Sequence, residues 1–264
     1  MNKIFTTIII AFTLFSCSSD DSTNPDLKTL EKIVFYRDTA NEKQWNFSNN
    51  LLQNITLADG SLAEKFIYDS QNRVVSNIKY SNGIVFETNT FIYNADNTIQ
   101  KINGLPYTFN AATNTYTYSY ASDFTINCEV NSDLLAVNFT RTGTNAGEFH
   151  MTYANGNMTS FEKITNGSTD VLKNFNFDTI LMVNPIADAV LAVARVKSLT
   201  DPNFFIDCQA SKEVPTGFDK GASDTNYYNY GAIPENKLYK VGIEVLDSNN
   251  NFVNFYSFAD YHFR

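Results

Sequence analysis

Phe66-Ile67-Tyr68-Asp69-Ser70-Gln71-Asn72-Arg73-Val74-Val75 is the stretch on which the fold turns. Two apolar, strand-forming runs flank a polar turn, in which Asp69 can accept hydrogen bonds from the loop backbone and Asn72 tolerates a positive φ. The same grammar returns 25 residues later, counted from Tyr68 to Tyr93, in Phe91-Ile92-Tyr93-Asn94-Ala95-Asp96-Asn97-Thr98-Ile99. It returns again in Val245-Leu246-Asp247-Ser248-Asn249-Asn250-Asn251-Phe252-Val253. Met151-Thr152-Tyr153-Ala154-Asn155-Gly156-Asn157-Met158 adds an Asn-Gly pair, the strongest short hairpin signal. From Ile33 onward, strand-like runs and turn signals alternate about every 8 to 12 residues. The expected product is a mainly β protein, an antiparallel hairpin meander that forms a twisted sheet or half-barrel.

Composition agrees with that reading. The 264 residues include 34 Asn, 15 Tyr and 22 Phe, which suit strands joined by Asn-rich turns. At 43% hydrophobic, the chain can bury a core without metals or disulfides. Charged residues make up 18% and the formal charge is −9, so nucleic acid and anionic headgroups are repelled rather than recruited.

One stretch breaks the β pattern. Asn184-Pro185 opens Ile186-Ala187-Asp188-Ala189-Val190-Leu191-Ala192-Val193-Ala194-Arg195-Val196-Lys197. Asn can cap, Pro suits the first turn, and Arg195 and Lys197 favour the C-terminal end. The spacing predicts a helix near residues 185–198 that covers one face of the sheet.

At the N-terminus, residues 1–16 carry Lys3 and then an apolar run too short to span a bilayer, the pattern of a secretory signal. Leu14-Phe15-Ser16-Cys17 resembles the bacterial lipobox, which implies that Cys17 becomes the acylated first residue and anchors the chain to a membrane. Ser18-Ser19-Asp20-Asp21-Ser22 resembles the short acidic export tag of surface lipoproteins in the Bacteroidota. Its other reading is a solvated tether, since Ser18 to Asp26 is polar, contains Pro25 and offers nothing to bury. Tag or tether decides whether the protein faces outward from the outer membrane or into the periplasm.

The segment from Phe66 to Ile99 also resembles YD-repeat sequences, in which Tyr-Asp is followed by a turn glycine, Arg and a branched aliphatic residue. Asn72 stands where glycine is usual, and the second copy has Asn94 for Asp and Thr98 for Arg. The match covers about a quarter of the chain, so it implies the hairpin unit and not a shell. Lipobox, acidic tag and degenerate hairpins together resemble Bacteroidota outer-membrane lipoproteins of the YD-repeat-like β-hairpin type. That resemblance implies a fold and a location, and no activity.

Residues able to carry chemistry are few. Phe124, Ile126, Cys128 and Val130 share one parity, as do Phe204, Ile206 and Cys208, so each cysteine is expected on the apolar face of a strand. A Cys128–Cys208 disulfide and two buried thiols both fit. His150, flanked by Glu148 and Thr152 on the polar parity, and His262 have no second His or Cys at ligand spacing, so no metal is expected. Asp247-Ser248-Asn249-Asn250-Asn251 lacks the Gly and the terminal Glu of a calcium loop, having Phe252 and Phe258 there, and reads as a hairpin turn. Nucleophile, metalloprotease and phosphate-loop motifs are missing, which argues against an enzyme, and no cofactor is implied. Tyr116, Tyr118 and Tyr120 alternate with Thr and Ser and should line one sheet face, as core if it is covered and as a platform if it is open. Tyr227, Tyr228 and Tyr230, after Gly217 and Gly221, read as aromatics of a long loop, able to stack on saccharides or to anchor the loop.

The sequence therefore predicts a signal peptide over 1–16, a tether over 17–26 and one β-rich domain over 27–264, with hairpin repeats to about residue 173 and a helix-containing part after it. The expected role is that of a non-catalytic, lipid-anchored envelope protein acting as a binding or interaction module. Its partners would be the membrane, through the anchor, and a glycan or an envelope protein. A structural accessory of an outer-membrane complex and a periplasmic lipid or lipoprotein carrier are the alternatives.

Overall fold

The structure is a computed structural model that describes residues 30–120, 123–176, 187–207, 217–219, 225–233, 238–246 and 252–263. The Phe66–Val75 stretch forms the hairpin that its turn chemistry demands. Asn72 adopts φ 60°, and Asp69 Oδ1 accepts the Gln71 and Arg73 N–H groups at 2.9 and 3.0 Å. In the second copy Asn97 has φ 68°, and Asp96 Oδ1 accepts from the Thr98 backbone and hydroxyl at 3.0 and 2.6 Å. Asn155 and Gly156 both take positive φ, 55° and 82°, as a primed two-residue turn requires. The two repeat tyrosines are structurally equivalent. Tyr68 Oη donates to Leu52 O and Tyr93 Oη to Val74 O, each at 2.6 Å, so each pins its own strand to the preceding one.

The strands run in chain order as an antiparallel meander: β1 (Leu30–Phe35), β2 (Lys43–Ser48), β3 (Leu51–Leu57), β4 (Leu62–Tyr68), β5 (Val74–Ser81) and β6 (Ile84–Tyr93). The far end of β6 passes into a small second sheet with β7 (Ile99–Ile102) and β8 (Leu105–Pro106). Across Tyr107 begins β9 (Thr108–Asn110), which rejoins the main sheet beside β10 (Thr115–Tyr120). From there β11 (Phe124–Val130), β12 (Ala136–Gly143), β13 (Gly147–Ala154), β14 (Asn157–Thr165) and β15 (Ser168–Asn176) follow. The series ends with β16 (Gly217–Asp219), β17 (Thr225–Ile233), β18 (Leu238–Leu246) and β19 (Phe252–Phe263). β19 pairs with β1, so the sheet curls until its first and last strands meet. β8 and β9 lie end to end and take different neighbours, and the architecture is a curled meander rather than a closed barrel.

Curling has a local cause. Register shifts fall near the turns of successive hairpins, at Asn46/Phe47, Ile67/Tyr68, Lys79/Tyr80, Ile92/Tyr93 and Thr152/Tyr153. Such irregularities bend a strand and increase its right-handed twist. The Val245–Val253 hairpin is borne out by the β18–β19 pairing, while its turn, residues 247–251, lies outside the described residues.

The helix, α1 (Ala187–Thr200), appears where the sequence placed it, and Asn184 to Ile186 lie outside the described residues. It packs against β3 and β5 on one limb of the sheet and β11 and β12 on the other, covering the inner face of the curl as expected. Ala189, Val190, Val193, Ala194, Val196, Lys197, Ser198 and Leu199 are buried, leaving the two end residues and the arc with Asp188, Leu191, Ala192 and Arg195 more open. Around it the core holds Ile33, Leu52, Phe66, Val74, Met151 and Phe161, each contributing about 1.5–3 kcal/mol by burial. Lys197 is only 2% exposed, and its ammonium pairs with Glu64 on β4, with Asp201 at 3.7 Å and the Phe66 ring at 5.8 Å. Lys197 thus faces a carboxylate inside the sheet instead of a solvated helix end. Ser198 Oγ accepts the Ala136 N–H at 2.9 Å, and the Cys128 thiol points at Ser198 O.

The alternating parity expected for Phe204, Ile206 and Cys208 is not a strand. Pro202–Asp207 is a 3-10 helix, opened by Asp201-Pro202, and both Phe204 and Phe205 pack inward, Phe204 stacking on Trp45 at 5.6 Å. Cys128 is a fully buried thiol whose pKa is pushed up by burial; Cys208 lies outside the described residues. Among the described residues no helix is long and apolar enough to cross a membrane.

Candidate functional site

The turns of an up-and-down meander alternate between its two ends, and the turns after β7 and β10 open at the end opposite Leu30, where the N-terminal segment enters. There the sequence-predicted tyrosine row passes from core to rim. Tyr116 is 2% exposed, Tyr118 6% and Tyr120 47%. The face is covered at one end and open at the other, so the row is both core and platform.

Register assembles the rest. β10 pairs Tyr118 with Ile126 and Tyr120 with Phe124. Tyr116 packs its ring 4.6 Å from Phe109, and its hydroxyl accepts the buried Ile99 N–H at 3.1 Å, fastening β7 to β10. Tyr118 stacks on Tyr107 at 4.7 Å and 14° and meets Phe124 edge-on at 5.9 Å. Tyr120 stacks on Phe124 at 5.6 Å, and the Arg141 guanidinium lies 4.1 Å from the Phe124 ring centre. Thr144 O accepts from Arg141 Nε at 2.8 Å and fixes that fork.

These rings form one wall of a cavity of about 290 Å³ floored by Leu199 and Thr200 at the end of α1. The facing wall is polar and already ordered. Lys79 pairs with Glu87 at 3.1 Å, Asn89 donates to Glu87 at 2.5 Å, and Asn103 donates to Asn89 at 2.8 Å. Tyr118 is one of the lining residues, and its hydroxyl is buried with no hydrogen-bond partner among the described residues. Burial and the neighbouring Tyr120 push its phenol up, so it stays a neutral donor. A buried hydroxyl without a partner costs stability unless something outside the chain satisfies it. Flat aromatic faces opposite a carboxylate and amides are the chemistry that holds a polyhydroxylated ring by stacking and hydrogen bonding.

Of the other sequence-predicted residues, Tyr227, Tyr228 and Tyr230 lie on strand β17 and not on a loop, opposite Glu244, Ile243 and Val241. Pairing with β18 overrides the Asn- and Gly-rich local text. Cys17, Ser18, Ser19, Asp20 and Asp21 lie outside the described residues. His150 stands on the solvent side, 2.9 Å from Asn138 Oδ1 and 3.5 Å from Glu148, as its parity implied. His262 is partly buried, which lowers its pKa. No group of three or more His, Cys, Asp or Glu among the described residues is placed to hold a metal. Sequence reasoning missed Tyr107, Arg141, Glu87, Asn89 and Asn103 as members of one site, because they come from separate strands and share no local spacing.

These features define a β-meander protein with an enclosed helix and an aromatic vestibule at one end. No protein-family model and no curated protein matches the chain. Among solved structures it is similar to a porin-like protein from Bacteroides uniformis, with a TM-score of 0.36 and 11% identity over 90% of this chain and 99% of that one.

Proposed function

We propose that this chain is a non-catalytic lipoprotein of the bacterial outer membrane, of the YD-repeat-like hairpin type, anchored through Cys17, facing outward and binding a neutral saccharide in the Tyr107–Tyr118–Tyr120–Phe124 vestibule. The observation that carries the binding role is the stacked wall whose last ring, Tyr120, stands open at the rim, with the Tyr118 hydroxyl unpartnered among the described residues. The Leu14-Phe15-Ser16-Cys17 lipobox supports the anchor, and Ser18-Ser19-Asp20-Asp21 the outward orientation. A lipid or lipoprotein carrier is disfavoured because α1 occupies the concavity that an acyl chain would need.

An accessory role in an envelope complex is favoured by a different feature. Ile84, Val85 and Phe86, 71%, 50% and 62% exposed, form an apolar hairpin edge at the vestibule end. The two readings separate by experiment. The full-length lipoprotein in detergent, screened against neutral glycans, should bind at least one saturably, and Tyr120→Ala should weaken that binding about tenfold, equivalent to about 1.4 kcal/mol, with an unchanged urea midpoint. A silent panel, or binding indifferent to Tyr120→Ala, overturns the saccharide reading. Co-purification of a membrane protein lost on Phe86→Asp would then favour the accessory role.

A further inference from the structure

The other end of the meander holds a second cavity, of about 420 Å³, between the two repeat turns and the open arc of α1. Its polar lining is Gln71, Asn72, Arg73, Asn97 and Arg195, with Tyr93, Ala95 and Ala192 completing it, and no Asp or Glu lines it among the described residues. The two arginines differ in what they have left to offer. Arg73 is neutralised: Asp69 takes its Nε and Nη2 at 2.8 and 2.7 Å, Asn97 Oδ1 takes Nη1 at 3.3 Å, and its guanidinium lies 4.7 Å from the Tyr93 ring centre. Arg195 donates only Nε, to the backbone carbonyl of Asp133 at 2.9 Å. Its two terminal nitrogens, four N–H donors in a fixed plane, meet no acceptor of this chain among the described residues.

The site therefore presents one guanidinium fork with no ion-pair partner among the described residues, held by the Asp133 carbonyl, in a protein of net charge −9. An Arg fork matches a planar carboxylate in a bidentate geometry, and a single spare charge balances a monoanion rather than a dianionic phosphate ester. Around it Gln71 and Asn72 supply amide groups for hydroxyls. We infer that this cavity is a binding site for a carboxylate-bearing sugar, with Arg195 gripping the carboxylate. It is separate from the vestibule and does not depend on the saccharide reading proposed there.

The test uses the full-length lipoprotein in detergent micelles, titrated by ligand-observed saturation-transfer NMR with sodium glucuronate, glucose, glucose 6-phosphate and acetate. Glucuronate should bind at least tenfold more tightly than each of the other three. Arg195→Gln should weaken glucuronate at least tenfold. Because that change also disturbs the Asp133 contact, Ala192→Glu serves as a second variant. It leaves Arg195 in place and supplies an internal carboxylate three residues away on the same helical arc, so it should abolish binding with an unchanged circular dichroism spectrum and urea midpoint. Tyr120→Ala should leave glucuronate binding unchanged, which separates this site from the vestibule. Glucose or acetate binding as tightly as glucuronate, tighter binding of the phosphate ester, or glucuronate binding that survives Ala192→Glu overturns the inference.

Discussion

Lys197→Met removes the ammonium that faces Glu64 inside the sheet and leaves a carboxylate only 13% exposed without its cation. Breaking a buried ion pair from one side costs about 3–5 kcal/mol, because the stranded charge keeps its desolvation penalty and loses its partner. Glu64 retains some contact with solvent and Asp201, 35% exposed, needs little from Lys197, so the lower end applies, about 3 kcal/mol. For a chain of this length that is a fall in Tm of about 6–12 °C. Replacing both partners, as Glu64→Leu with Lys197→Met, should return stability to within about 1 kcal/mol of the parent, since a well-packed apolar pair replaces a buried ionic one at little cost. Urea unfolding followed by the fluorescence of Trp45, the single tryptophan and itself buried, reads both. A single variant within about 1 kcal/mol of the parent, or a double variant as unstable as the single, would refute the claim that this pair is internal and coupled.

Asn72→Gly should be close to neutral and Asn72→Val should cost about 1–2 kcal/mol by the same unfolding assay, because only the β-branched residue is penalised at φ 60°; equal effects would contradict the turn assignment. Tyr118→Phe should leave stability unchanged or raise it by up to about 1 kcal/mol, since the hydroxyl meets no partner among the described residues, yet weaken saccharide binding; a marked loss of stability would show that the hydroxyl is satisfied within the chain. Acid should weaken the hairpins. The Ser61 hydroxyl and N–H hold Asp59 below the usual carboxylate range, and Thr98 does the same for Asp96. For Asp69, burial pulls upward but the hydrogen bonds from Arg73 and Gln71 outweigh it. Depressed folded-state values mean that this stabilisation is complete above the unfolded value near about 3.9 and is lost as pH falls through the folded values. The urea midpoint should therefore hold between pH 7 and pH 5 and decline below about pH 4, less steeply in Asp96→Asn; an unchanged midpoint at about pH 3 would refute this.

The features legible in the sequence are those whose cause is local. Asn72, Asn97 and Asn155 announce their turns because a positive φ and a side-chain acceptor are demands met within four or five residues. The Phe124-to-Val130 parity likewise predicts the inward face of β11, since period-2 alternation needs no knowledge of the partner strand. Where the cause is distant the text misleads. Lys197 reads as a helix-end cation, and nothing near it signals Glu64, 133 residues away in sequence. Phe204 to Cys208 alternates like a strand, but Pro202 starts a tight helical turn that sends adjacent phenylalanines inward. Tyr227 to Tyr230 sits among Asn and Gly and still becomes a strand, because β16 and β18 complete its ladders. The vestibule was half legible. Its Tyr116–Tyr120 row follows from alternation, whereas Tyr107, Glu87, Asn89, Asn103 and Arg141 join it only through the register of several hairpins.

An outward-facing vestibule with Tyr120 at its open rim is the central claim, and labelling on intact cells tests it most directly. Tyr120→Cys places a thiol at the rim, whereas native Cys128 is fully buried. A membrane-impermeant maleimide should label the variant on intact cells as fast as in lysed ones, with the parent protein as background and a known periplasmic protein as the integrity control. Labelling that appears only after lysis would contradict the account.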